Sequence, residues 1–129
     1  MNRIKTRTAT IYMDEDDILY IVMNRDVKMD YEDALDNYLV AKNLSHGKKI
    51  LKLIDSRQPW SIDRKARQFL NHKEIKEQTI ARAVVKDNAF SKVLSSFILS
   101  MTNSPIPVKV FTDIEEARQW LLEMKRSAT

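Results

Sequence analysis

The stretch Lys49-Ile50-Leu51-Lys52-Leu53-Ile54-Asp55 runs into a polar segment, Ser56-Arg57-Gln58-Pro59-Trp60, and then into Ser61-Ile62-Asp63-Arg64-Lys65-Ala66-Arg67. A short run dominated by aliphatic side chains and closed by a turn-forming cluster reads as a buried strand. Beyond Pro59, Ile62, Ala66, Phe69 and Leu70 recur at helical spacing, with Ser61 placed as N-cap. Strand, loop and helix in this order are the repeating unit of an α/β domain.

The same alternation extends in both directions. Toward the N-terminus, Gly47 closes a helix that Asp30 caps, with Tyr31, Ala34, Leu35, Tyr38 and Ala41 on one stripe. Before it, Thr8 to Met13 and Ile18 to Met23 form a β-hairpin across Asp14-Glu15-Asp16-Asp17. Toward the C-terminus, Thr79 to Val85 reads as a fourth strand. The most apolar helix follows, carrying Ala89, Phe90, Val93, Leu94, Phe97, Ile98 and Met101. Pro105 and Pro107 stop that helix before a fifth strand, Val108 to Phe111. Thr112 with Glu115 fits a capping box for a last helix bearing Ile114, Ala117, Trp120, Leu121 and Met124. The order ββαβαβαβα predicts one domain over residues 1–129, with a mixed five-stranded sheet and right-handed crossovers.

Composition removes whole classes of function. The chain has 129 residues and no cysteine, which excludes disulfides, thiolate nucleophiles and cysteine-ligated metals. Gly47 is the single glycine, so no glycine-rich phosphate loop exists, and no cofactor motif replaces it. Net charge is +4, from 22 basic and 18 acidic residues interspersed along the chain; this argues for solubility rather than nucleic-acid binding. His46 and His72 lack partners at metal-ligand spacing, and the acidic tetrad lacks the calcium-loop pattern. No signal peptide and no membrane span are read, so a cytoplasmic protein is expected.

The segment Leu51-Lys52-Leu53-Ile54-Asp55 with its loop and the helix from Ser61 resembles the STAS/SpoIIAA-like superfamily. Thr8-Ala9-Thr10-Ile11-Tyr12-Met13 and Val110-Phe111-Thr112-Asp113 leading into Glu115-Glu116-Ala117 are similar to small bacterial STAS-like domains of unassigned function. The resemblance implies a SpoIIAA-like β–α superhelix used for binding, often to a protein and sometimes to a small or lipidic ligand. It also places a phosphorylated serine in the loop after the third strand. Here Ser56 and Ser61 stand near that place, without the family's Asp-Ser-Ser or Asp-Ser-x-Gly pattern.

Three surfaces are therefore candidates. Asp55, Ser56 and Ser61 lie at the carboxyl end of a strand and a helix start, where open α/β sheets bind ligands. Arg57, Arg64, Lys65, Arg67 and Arg82 could converge on a carboxylate or phosphate, or simply form a solvated face. The helix from Phe90 to Met101 is core, a homodimer surface or the wall of an apolar pocket. With no nucleophile and base brought together, the chain is expected to be a non-catalytic binding or regulatory module, first for a protein partner and second for a small apolar or lipid-like ligand.

Overall fold

The structure is a computed structural model that describes residues 2–87 and 105–128. The elements in order are β1 (Ile4–Lys5), β2 (Ala9–Met13), β3 (Ile18–Met23), β4 (Lys28–Met29), α1 (Tyr31–Leu44), β5 (Ile50–Ser56), β6 (Ser61–Ile62), α2 (Arg64–Leu70), α3 (Lys73–Gln78), β7 (Thr79–Lys86), β8 (Val108–Phe111) and α4 (Ile114–Ala128). The main sheet is mixed, in the order β1-β2-β3-β5-β7-β8. Its first three strands are antiparallel and the pairs from β3 to β8 are parallel. The five expected strands are all present, and the short edge strand β1 adds a sixth. The apolar helix expected from Ala89 to Met101, with its dimer surface, lies outside the described residues.

Alternation along the central strands divides the core into two layers. On one face, Ile11, Leu19, Met23, Ile50 and Val84 pack with Ala34 and Ala41 of α1, Ala66 of α2 and Trp60. On the other, Ile18, Tyr20, Leu51, Leu53, Ala81, Ala83 and Val85 pack against Ala117 and Leu121 of α4. A register shift between Ile50 and Leu51 leaves Ile80 outside the one-to-one pairing of β5 with β7. Leu51 then faces Ala81, Lys52 faces Arg82 and Leu53 faces Ala83. No helix among the described residues is long and apolar enough to cross a membrane.

The caps correct several local readings. Asp30 caps α1 as expected, and Asp33 returns a bond to the Asp30 N–H, completing a capping box. At the other end Gly47 closes the helix as expected, and two successive residues after the C-cap Ser45 are left-handed, His46 at φ 54° and Gly47 at φ 76°. The Gly47 N–H then reaches back to the Lys42 carbonyl at 3.0 Å and the His46 N–H to that of Asn43 at 3.3 Å, a Schellman closure. Ser61 is not the cap of α2. It is drawn into β6, paired parallel with β4 through Lys28↔Ser61, and Asp63 caps the helix by accepting from the Ala66 N–H at 2.9 Å. Likewise Asp113, not Thr112, precedes α4 and accepts from the Glu115 N–H at 3.2 Å.

The acidic tetrad is fastened rather than freely solvated. The Asp14 carboxylate accepts from the Asp16 and Ile18 N–H groups, holding the turn in which Asp17 sits at φ 61°. Arg118 of α4 bridges Asp14 at 2.9 Å and Asp16 at 2.7 Å. These bonds staple the hairpin to the last helix.

Candidate functional site

The loop singled out by sequence is tied down by its own side chains. Asp55 and Ser56, being consecutive in β5, point to opposite faces of the sheet. Asp55 is buried and accepts from Arg57 Nε at 2.9 Å and Nη2 at 2.7 Å, so this arginine faces its neighbour two residues back. That bond raises the Arg57 guanidinium above its ordinary value. Ser56 is 3% exposed and its hydroxyl accepts from Trp60 Nε1 at 3.0 Å. Arg64 is exposed and Arg67 half-buried on α2. No hydrogen bond or ion pair joins either to Arg57 among the described residues.

A different site lies under α1. A partly enclosed cavity of about 70 Å³ is bounded by Ile21, Met23 and Ile54 of the sheet, by Met29 and Trp60, and by Ala34, Tyr38 and Ala41 of α1. Leu70 and Ile75 close it from α2 and α3. The alanines, one face of α1 at i and i+7, are what leaves the room: larger side chains at those places would fill it.

Two cations stand at the wall of this cavity. Lys52 and Arg82 are register partners on adjacent parallel strands, 5% and 3% exposed. Lys52 Nζ donates to Gln78 Oε1 at 2.6 Å, and Gln78 is held in turn by donating to the Tyr38 carbonyl at 3.4 Å. Arg82 Nη2 donates to the Leu70 carbonyl at 3.5 Å. Among the described residues Lys52 has no carboxylate within ion-pair distance. Burial, with Arg82 adding to it, holds the Lys52 ammonium well below its ordinary value. Burial pushes Arg82 down to about 10. Two like charges in a low-dielectric wall oppose one another and oppose folding.

The remaining polar groups near the cavity are already used. Asn37 donates to the Thr8 hydroxyl at 3.1 Å and accepts from Thr6 Oγ1 at 2.8 Å. Arg7 binds the Asp33 carboxylate through two nitrogens, Nε at 2.8 Å, and donates to the Lys28 carbonyl at 2.6 Å. Those bonds fasten the start of α1 to the β1–β2 turn. Among the described residues no group of three His, Asp or Glu side chains is placed to hold a metal ion.

The family model for a domain of unknown function, DUF7793, matches residues 11–125. The chain belongs to that family. Among solved structures, DUF7793 residues find a match in an uncharacterised protein of the DUF3478 family from Shewanella loihica PV-4, described as having a SpoIIAA-like fold. The TM-score is 0.62 at 18% identity, covering 86% of this chain and 90% of that one. No protein of curated function matches. The fold is therefore SpoIIAA-like, as the sequence resemblance implied, and the match at this identity speaks for the fold alone.

Sequence reasoning passed over Lys52 as an ordinary strand residue and grouped Arg82 only with a surface basic set. The available signal was a lysine flanked on both sides by aliphatic residues in a central strand, where both faces are covered. Nothing local placed Arg82 opposite it; the register does.

Proposed function

We propose that the chain is a non-catalytic binding module that holds a small, mostly apolar molecule in the cavity under α1. The observation that carries this reading is the cavity itself: about 70 Å³ of room within an otherwise packed layer, walled by methionine, isoleucine, leucine and tryptophan with a few placed polar groups. Binding sites for small molecules have this make-up. Leaving a void of that size unfilled destabilises a fold by on the order of 1–2 kcal/mol. Its described lining has no serine, histidine, aspartate or glutamate, so the Lys52 amine stands there without a carboxylate or imidazole base beside it. The loop from Asp55 to Ser61 supports capture of a protein partner less well, since Asp55, Ser56 and Arg57 are engaged with Trp60 or with each other.

Hexanol is a suitable probe, followed by ligand-observed NMR titration against the full chain. Wild type binds it saturably. Ala41→Leu, which fills the cavity from α1, stays folded by thermal unfolding and loses the binding. Absence of saturable binding to wild type, or binding unchanged in Ala41→Leu, would overturn the proposal.

A further inference from the structure

We infer that the cavity's ligand is a monocarboxylic acid whose carboxylate docks on Lys52 beside Arg82, with a short apolar tail lying among Met23, Met29, Ile54 and Trp60. The inference rests on the pocket reading above and assigns its ligand class. Three observations carry it.

The first is placement. Lys52 is the third of seven residues in a central strand, and its register partner across the parallel pair is Arg82. Both side chains line one cavity. A basic side chain on one strand alone could be an accident of packing; here adjacent strands each place one on the same wall.

The second is the partner that Lys52 has. An ammonium carries three donors, and among the described residues Lys52 uses Gln78 Oε1 as its hydrogen-bond acceptor. Gln78 is neutral, so it orients the ammonium without cancelling its charge. Elsewhere among the described residues arginines sit against carboxylates, Arg118 with Asp14 and Asp16, Arg57 with Asp55 and Arg7 with Asp33. An anion entering the cavity would supply at Lys52 what those carboxylates supply there.

The third is size and polarity. Apart from Lys52, Arg82, Asn37 and Gln78 the wall is aliphatic or aromatic, and its roughly 70 Å³ takes the carboxyl and the first carbons of a chain, the remainder of a tail lying toward the open side. A carboxylate presents two acceptor oxygens, which suits the donors of the Lys52 ammonium that Gln78 does not use. A phosphate brings further oxygens that this wall cannot meet, because Asn37 is occupied by Thr6 and Thr8. The Lys52 proton supports the same end: burial favours its loss in the empty site, and a bound carboxylate favours its return. The other titratable side chains at the wall are Arg82 from β7 and Tyr38 from α1.

Ligand-observed NMR titrations of hexanoate, hexanol and hexyl phosphate against wild type and Lys52→Met test the inference at neutral pH. Wild type should bind hexanoate at least roughly tenfold more tightly than hexanol, the scale of one charge-assisted hydrogen bond. In Lys52→Met that preference should vanish while hexanol binding persists, which also shows that the variant is folded. Lys52→Arg, keeping the charge, should retain part of the preference. Equal binding of hexanoate and hexanol to wild type would overturn the carboxylate assignment and leave the apolar pocket standing. A preference surviving in Lys52→Met, or hexyl phosphate binding more tightly than hexanoate, would also overturn it. Failure of all three probes would remove the pocket reading as well.

Discussion

The two faces of the main sheet are made from the same strands, yet they are built to different standards. Toward α4, β5 contributes Leu51 and Leu53 and β7 contributes Ala81, Ala83 and Val85, with Ala117 and Leu121 against them. The polar groups on that side stay at the rim, where Arg118 meets Asp14 and Asp16, and the Tyr12 and Tyr20 rings stack at 4.9 Å. Toward α1, the residues between those positions are Lys52 and Arg82, and a cavity lies over them. One residue of alternation separates a fully packed apolar layer from one that holds a cavity and two basic side chains. Proteins depart from good packing and charge pairing chiefly where function requires it. That difference is what the proposed binding function on the α1 side rests on.

The largest expected effect comes from damaging the packed apolar layer. Leu53→Ala should lower stability by about 2–5 kcal/mol in urea unfolding, the range for a fully buried leucine, while leaving hexanoate binding to the folded protein nearly unchanged. The α1 side should respond in the opposite direction. Replacing Lys52 and Gln78 together, as Lys52→Met with Gln78→Leu, removes the buried charge and the acceptor that holds it. Stability should rise by about 1–4 kcal/mol, as for other buried ionic groups exchanged for apolar ones, while hexanoate affinity falls. A double variant less stable than wild type would make the cation a structural part.

The two faces should also differ in the sign of their pH dependence. Lys52 titrates near 10.5 when unfolded and well below that when folded. Across that window the unfolded chain holds the extra proton, so stability rises with pH. On the other face, burial and then Asp14 push the Tyr20 phenol from 10.0 up to about 12. The stability it contributes is complete below pH 10 and is lost as the pH rises from 10 through 12. Urea midpoints measured from neutral to alkaline pH should show a rising limb missing from the Lys52/Gln78 double variant, and a falling limb reduced in Tyr20→Phe.

The smallest effect belongs to neither face. His46 holds a left-handed conformation that glycine adopts without strain, so His46→Gly should add about 0.5–1 kcal/mol. Probe binding in that variant should match wild type; altered binding would mean that the end of α1 is coupled to the cavity.

Much of the fold was legible in the sequence because it rests on periodicity. The runs at Thr8, Ile18, Ile50, Thr79 and Val108 are strands, and Asp30 caps the first helix as its side chain requires. What escaped the sequence depended on tertiary pairing. Ser61 and Asp63 are both good caps two residues apart, and the bond of Ser61 into β4 decides between them. The short helix α3 has too few residues to show a period, although it supplies Ile75 and Gln78 to the cavity. The candidate loop was chosen for its residue types, which were real, but the serine and carboxylate there are spent on Trp60 and Arg57. The pair of Lys52 and Arg82 lies thirty residues apart in sequence and becomes visible only through the strand register.

The most direct measurement is a hexanoate titration of the full chain labelled with ¹³C at its methionine methyls. Met23 and Met29 line the cavity, whereas Met124 packs on the α4 side. Saturable shifts of the Met23 and Met29 methyls with Met124 unmoved are the predicted result. Motion of Met124 to the same extent, or stillness of Met23 and Met29 under saturating hexanoate, would contradict the assignment of binding to the α1 face.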